Sequence, residues 1–306
     1  MPPSASVIRL PRGLQHRLEA AASAFMNLQH GRSIDFTRPP GEEALLPPDS
    51  VSWRVCKNPL ALFIGGVAAV VLELAEPAVR AGVWDHSSFR KNPLGRLQRT
   101  GLAAMATVYG ARSISEPMIA GVVRMHARVT GETAAGVAYC ASDSHLLNWV
   151  QATATFGFAE AYDLYVEQLS RSDYDGLFRE GAPASRLYGA IGTPRSGIEL
   201  KLLFQSMRDR LEPSPVVFQF LKIMSETPAF PRPLSWMQGM LVRAAVEAIP
   251  DWIRERLGLA SQYGLRTGEK WIVRLAGSVS DRIVLSESPA VQSCVRLGLP
   301  ATHLYA

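Results

Sequence analysis

The sequence predicts an all-α protein, and three observations carry that prediction. Apolar residues recur at spacings of three and four along most of the chain, the period of a helix with one buried face. Asn, Ser, Asp, Pro and Gly stand where helices would start and stop rather than where hairpins would turn. Strand-like alternation is confined to one weak candidate, Trp271–Leu275. About ten helices in one multi-helix domain account for the pattern, with no internal repeat, low-complexity segment or evident linker.

The elements follow in order. Residues 1–56 read as an N-terminal arm with one amphipathic helix, near Leu14 to Leu28, and then the proline-bearing segment Thr37 to Pro48. A helical core is expected over 57–260, and a C-terminal extension packed on the same domain over 261–306. Asn58-Pro59 opens the apolar helix Leu60–Ala75, because Asn caps and proline at the first position needs no N–H partner. Its uncharged run from Leu60 to Leu72 ends at Glu73 and Glu76, short of the roughly 20 residues of a bilayer span. It therefore reads as a buried core helix, and no integral membrane segment is predicted. Pro77 restarts the chain in a short helical turn toward Gly82, and Asn92-Pro93 opens a helix over Leu94–Tyr109. Ser115-Glu116-Pro117 reads as the cap and acidic first turn of a helix carrying His126 and running to a C-capping Gly131. Asp143 caps a long helix whose aromatic residues Trp149, Phe156, Phe158, Tyr162 and Tyr165 read as core, with His145 solvent-facing in its first turn. Ser172 begins another helix reaching toward Gly189. The spans Gly197–Leu211, Pro215–Ser225, Leu234–Ile249 and Asp251–Leu257 complete the set.

Composition narrows the function. In 306 residues, 47% hydrophobic and 19% charged content excludes disordered and fibrous classes. The formal charge of +5 rests on 27 Arg and 5 Lys that form no dense run. That pattern reflects a GC-rich genome rather than a phosphate-tracking surface, so no nucleic-acid partner is expected. Cys56, Cys140 and Cys294 are too few and too far apart for a disulfide framework or a zinc site. The first residues lack the apolar run of a signal peptide, and a cytoplasmic location is expected. There is no Gly-x-Gly-x-x-Gly, phosphate-binding Gly-Lys-Ser/Thr, His-Glu-x-x-His or Gly-x-Ser-x-Gly motif. Ser88-Phe89-Arg90-Lys91 matches Ser-x-x-Lys by letter only, without the partner motifs of that chemistry.

Two constellations remain. His126 has Ile119, Val122, Val123, Val129 and Thr130 at helical spacing, while Arg124 and Arg128 project elsewhere. An imidazole on an apolar face suits either a core histidine bonded to a carbonyl or a proximal haem ligand, which needs a neutral nitrogen, dry walls and a rigid helix. Arg96 and Thr100 lie one helical turn apart, and Ala103 and Thr107 continue that stripe. Such a stripe is either a solvated edge or an anchor for carboxylates, since Arg is always charged and bidentate while a threonine hydroxyl can orient water or an oxygen ligand.

A series of blocks carries a resemblance: Leu72-Glu-Leu-Ala-Glu-Pro77, Gly82-Val-Trp-Asp-His86-Ser87, Asn92-Pro93-Leu-Gly-Arg96-Leu-Gln-Arg99-Thr100, Val123-Arg-Met-His126-Ala-Arg-Val-Thr-Gly131, Tyr139-Cys-Ala-Ser-Asp143 and Trp149-Val150-Gln-Ala-Thr153. In this order they resemble the MpaB-type oxygenase and rubber-oxygenase (latex-clearing protein) catalytic-domain family, over roughly residues 50 to 210. The resemblance implies a globin-like haem-binding core, haem b with its iron on His126, dioxygen as co-substrate, and Arg96 with Thr100 as pocket residues. Arg99 and Thr100 are the implied catalytic pair. Rubber-cleaving relatives tend to carry lysine before the threonine, whereas Arg99 keeps the charge but does not readily act as a base. His86 and Tyr139, in family-like blocks, are candidates for the cofactor pocket; capping of the next helix and simple packing are the respective alternatives. The implied activity is oxygenation of an apolar small molecule such as a terpenoid, lipid or secondary-metabolite alkene. The alternative is a helical carrier of haem or an apolar ligand without turnover.

Overall fold

In the computed structural model, which describes residues 7, 8, 10–26 and 34–305, helices make up 64% of the chain. Among the described residues there are 14 α-helices and one two-stranded sheet, so the chain is all-α, as its periodicity predicts. Helix α1 is Arg12–Met26; the expected end of this helix, Asn27 and Leu28, lies outside the described residues. Helices α2 (Val51–Cys56), α3 (Pro59–Ala75), α4 (Pro77–His86) and α5 (Pro93–Tyr109) follow, the last three each opening on proline. The caps are those the residue types dictate. Asn58 Oδ1 accepts from the backbone N–H of Leu60 and Ala61 at 3.1 and 3.0 Å, and Asn92 Oδ1 accepts from Gly95 N–H at 2.9 Å.

Helix α6 (Arg112–His126) departs from expectation at both ends. Ser115 is not its cap: the hydroxyl donates to the Ala106 carbonyl at 2.7 Å and ties α6 to the end of α5. Pro117 lies inside the helix rather than at its first turn. The helix stops at His126 because the chain enters a hairpin, β1 (Thr130–Glu132) paired antiparallel with β2 (Ala138–Cys140), with Gly131 opposite Tyr139. Gly136, with a φ of 74°, supplies the left-handed residue of the connecting turn. Three-residue strands are too short to leave an alternation in the sequence.

The remaining helices are α7 (Ser144–Tyr165), α8 (Arg171–Leu187), α9 (Gly197–Ser206), α10 (Pro215–Glu226), α11 (Gln238–Glu247), α12 (Asp251–Leu257), α13 (Glu269–Ser280) and α14 (Pro289–Arg296). A 3-10 helix, Arg232–Met237, leads into α11. The strand candidate Trp271–Leu275 is therefore helical: Trp271 and Leu275 point outward one turn apart, while Val273 is buried. Alternation over five residues does not distinguish these patterns.

Helix α3 is the axis of the main core, flanked by α7, α11, α10 and α13. It meets α7 backbone to backbone, since a Cβ added at Gly65 would lie 2.5 Å from the Gly157 carbonyl oxygen. Trp149, Phe156, Tyr162 and Tyr165 are buried in this core, as read from the sequence, and Trp149 Nε1 donates to the Leu72 carbonyl at 3.2 Å. A second apolar cluster forms around α5 from Phe36, Leu46, Trp53, Leu102, Tyr109 and Cys294. It takes residues from both the expected arm and the expected extension. No single described helix is long and apolar enough to cross a membrane; α3 and α4 together meet the length and composition, but they bend by 111° at their junction.

Candidate functional site

The site is built from three helices. Gly110 ends α5 and the chain turns at once into α6, so the two helices pack together and the end of α6 returns beside the start of α5. His126 thus lies close enough to Arg96 to feel its charge, although 30 residues of sequence separate them. Arg96 donates to Thr100 Oγ1, whose hydroxyl in turn donates to the Arg96 carbonyl at 2.9 Å. This one-turn link aims the guanidinium along the helix and leaves it without an ion-pair partner among the described residues.

The third wall is a stripe of α3 that sequence reasoning missed. Most of α3 is buried, but Phe63, Gly66, Val70 and Glu73, at helical spacing, each retain accessible surface. A Cβ added at Gly66 would meet nothing within 4 Å, in contrast to its crowded neighbour Gly65. The middle of the central helix is thus open on this side. Phe63 packs its ring 4.9 Å from that of Phe230 at one end of the stripe, and Glu73 stands at the other.

Electrostatics connects the walls. Burial pushes the Glu73 carboxyl up to about 8, against the pull of the Arg96 charge. Burial lowers Arg96 from its ordinary value, partly offset by Glu73. His126 is lowered by burial first and by the Arg96 charge second, both of which favour the neutral imidazole. Each of these groups retains some accessible surface yet is dominated by desolvation.

His126 Nδ1 is buried and has no hydrogen-bond partner among the described residues. Buried polar nitrogens are nearly always satisfied, so an orphan here calls for a partner from outside the chain. The apolar face expected around this imidazole is only partly made. Ile119 is buried and Val122 and Val123 are half-buried, but Val129 and Thr130 leave that face because the helix has ended.

The other sequence candidates make their side-chain contacts outside this cluster, although the charge of Arg99 also lowers Arg96. Arg99 is exposed and donates to Ser88 Oγ at 2.5 Å, which also occupies the serine of the Ser-x-x-Lys match. His86 is the exposed last residue of α4 rather than a loop residue, and Asn92, not His86, caps α5. Tyr139 lies across Gly131 of the hairpin and near Gly82 of α4. The signal for Glu73 was present: a carboxylate interrupting an apolar helix, three residues from a second one, Glu76. The two differ completely. Glu76 caps α4 by accepting from Val79 N–H at 2.7 Å and pairs with Arg210 at 2.8 Å, whereas Glu73 makes no side-chain hydrogen bond or ion pair among the described residues.

No group of three His, Cys, Asp or Glu side chains among the described residues is placed to hold a metal ion. Two open clefts of about 360 Å³ are present, one beside Tyr263 and Arg266 and one, a turn before Arg96, where Lys91–Leu94 faces Ile223–Pro228. Neither includes Glu73, Arg96 or His126, and chemistry rather than concavity marks the site.

A family model described as ER-bound oxygenase mpaB/B'/rubber oxygenase, catalytic domain, matches residues 53–279, a span from α2 to α13. No curated protein and no solved structure gives a significant match.

Proposed function

Because the chain belongs to the mpaB/rubber oxygenase catalytic-domain family, and is in that sense an oxygenase, we propose that it is a haem b oxygenase acting with dioxygen on an apolar small molecule. The observation that carries this reading is the orphaned, buried Nδ1 of His126, within reach of the charge of Arg96, which has no ion-pair partner among the described residues and itself acts on Glu73 of α3. A single imidazole that belongs to no group of three His, Cys, Asp or Glu side chains among the described residues suits a metal whose other ligands belong to a macrocycle. His126 would hold the iron. Arg96, a charged bidentate donor already oriented by Thr100, would hold a haem carboxylate.

The chemistry that haem b supplies when bound is dioxygen activation, and imidazole ligation favours addition to an alkene over thiolate-type hydroxylation. The chain's own residues set the conditions. Phe63, Gly66 and Val70 provide an apolar wall that excludes water and receives a terpenoid, lipid tail or secondary-metabolite alkene. Thr100, bonded to both the guanidinium and the carbonyl of Arg96, holds that guanidinium in place at the charged side. Glu73 holds a proton at neutral pH at the polar end of that wall.

The test is the visible spectrum of the full chain after haem-supplemented expression, with pyridine haemochrome analysis, beside His126→Ala. A stoichiometric Soret band that the variant loses, with unchanged helical circular dichroism, is the expected result. Arg96→Ala should lower haem occupancy through loss of a charge-assisted contact, by about 1.5–3 kcal/mol. A full Soret band in His126→Ala would remove His126 from the role.

A further inference from the structure

Helix α13 is held in one orientation by its inner face. A Cβ at Gly277 would lie 2.2 Å from the Tyr165 carbonyl, Asn58 Nδ2 donates to the Gly277 carbonyl at 3.0 Å, and Lys57 binds Asp281 just beyond the helix at 2.5 Å. The outer face is consequently determined too. It carries Trp271 (67% exposed), Leu275 (50%) and Val279 (37%) at successive four-residue steps, a continuous apolar stripe that no described residue covers. Scattered exposed apolar residues are ordinary, but a tryptophan heading such a stripe on a well-anchored helix is not.

The exposed charges that α13 and its flanking residues carry are of one sign. Lys270, Arg274 and Arg282 are exposed along it, and Arg266 is exposed just before the helix. The helix's only carboxylate, Glu269, is bound by Arg243, whose Nε donates at 2.9 Å, and Asp281 is bound by Lys57. A second copy of this chain docking face to face by two-fold symmetry would bring these cations against one another. An apolar stripe with Trp at its head and unpaired Lys and Arg beside it is complementary to a surface that is anionic outside and apolar beneath.

We propose that the outer face of α13 docks the protein on an anionic phospholipid surface, with Trp271, Leu275 and Val279 entering the headgroup boundary and Lys270, Arg274 and Arg282 meeting the lipid phosphates. The attachment is peripheral and reversible, since one short apolar stripe inserts no spanning segment. It depends on nothing bound at His126.

The test is co-sedimentation of the full chain with vesicles of phosphatidylcholine alone or mixed with phosphatidylserine, at low and high salt. Sedimentation with the mixed vesicles that weakens with salt is expected. Lys270→Glu with Arg274→Glu should weaken partitioning at least about tenfold, given about fivefold per cation. Trp271→Ser with Leu275→Ser should lose the salt-resistant remainder. All four side chains are exposed, and circular dichroism checks that both variants fold. Equal sedimentation with neutral vesicles, unchanged binding by both variants, or no sedimentation of the unaltered chain would overturn the assignment. So would a dimer in light scattering that Trp271→Ser with Leu275→Ser abolishes, which would give the face to a second copy.

Discussion

Glu73 and Glu76 show how little residue type settles at the scale of a single side chain. Both end the same apolar run, three residues apart, yet one is a paired helix cap and the other a lone carboxyl with its acidity shifted to about 8. The sign of its effect on stability follows. A carboxyl that holds its proton more tightly folded than unfolded leaves the folded state binding more protons between the ordinary carboxylate range and about 8. Stability therefore falls as pH rises across that window, by something on the order of 5 kcal/mol. Glu73→Gln keeps the shape and removes the titration, so its thermal unfolding measured from about pH 5 to 9 should be flatter than that of the unaltered chain. Parallel profiles would mean that Glu73 is ionised in the folded protein.

The contact between α3 and α7 belongs to the scale of elements. Two adjacent glycines on α3 face opposite situations: Gly65 touches the backbone of Gly157, and Gly66 faces open space. Gly65→Ala must push two helix backbones apart and should cost about 2 kcal/mol or more in chemical denaturation. Gly66→Ala gains helix propensity with nothing to displace and should stabilise the chain without added cofactor by about 0.5–1 kcal/mol. Equal effects of the two substitutions would remove the case for an opening beside Gly66. Helix existence was legible in the sequence wherever a cap or proline marked the start, as at Asn58, Asn92 and Asp143. Where the residues marking an end were used otherwise, the helix was legible but its bounds were not. Ser115 spends its hydroxyl on the Ala106 carbonyl, and a hairpin, rather than Gly131, stops α6.

At the scale of the whole molecule, segments from opposite ends of the chain are joined by one buried arginine. Arg296 on α14 is 3% exposed and donates to the carbonyls of Phe36 (3.0 Å), Glu42 (2.9 Å) and Tyr109 (2.7 Å). Those carbonyls come from the segment before α2 and from the end of α5, the helix that carries Arg96. Arg296→Met would leave buried acceptors unsatisfied and should cost about 3 kcal/mol or more in urea unfolding. The loss should loosen the second apolar cluster, Phe36 and Tyr109 included, which hydrogen exchange of the α5 amides would detect as faster opening. A neutral effect would mean that these end segments pack independently of α5.

The sequence by itself determined the all-α class, the positions of most helices, the core role of the Leu60–Leu72 run and the one-turn spacing of Arg96 and Thr100. These depend on period and local capping, which act within a few residues and leave their mark in the order of the chain. It also contained the blocks that resemble the family whose model matches residues 53–279. Only the tertiary structure decided that His126 comes beside Arg96, that Glu73 lacks the partners Glu76 has, that α3 is open at Gly66, and that Trp271 faces outward on a helix. Each depends on how helices distant in sequence pack, and burial and neighbouring charge, which set proton affinity and exposure, are properties of that packing rather than of residue type.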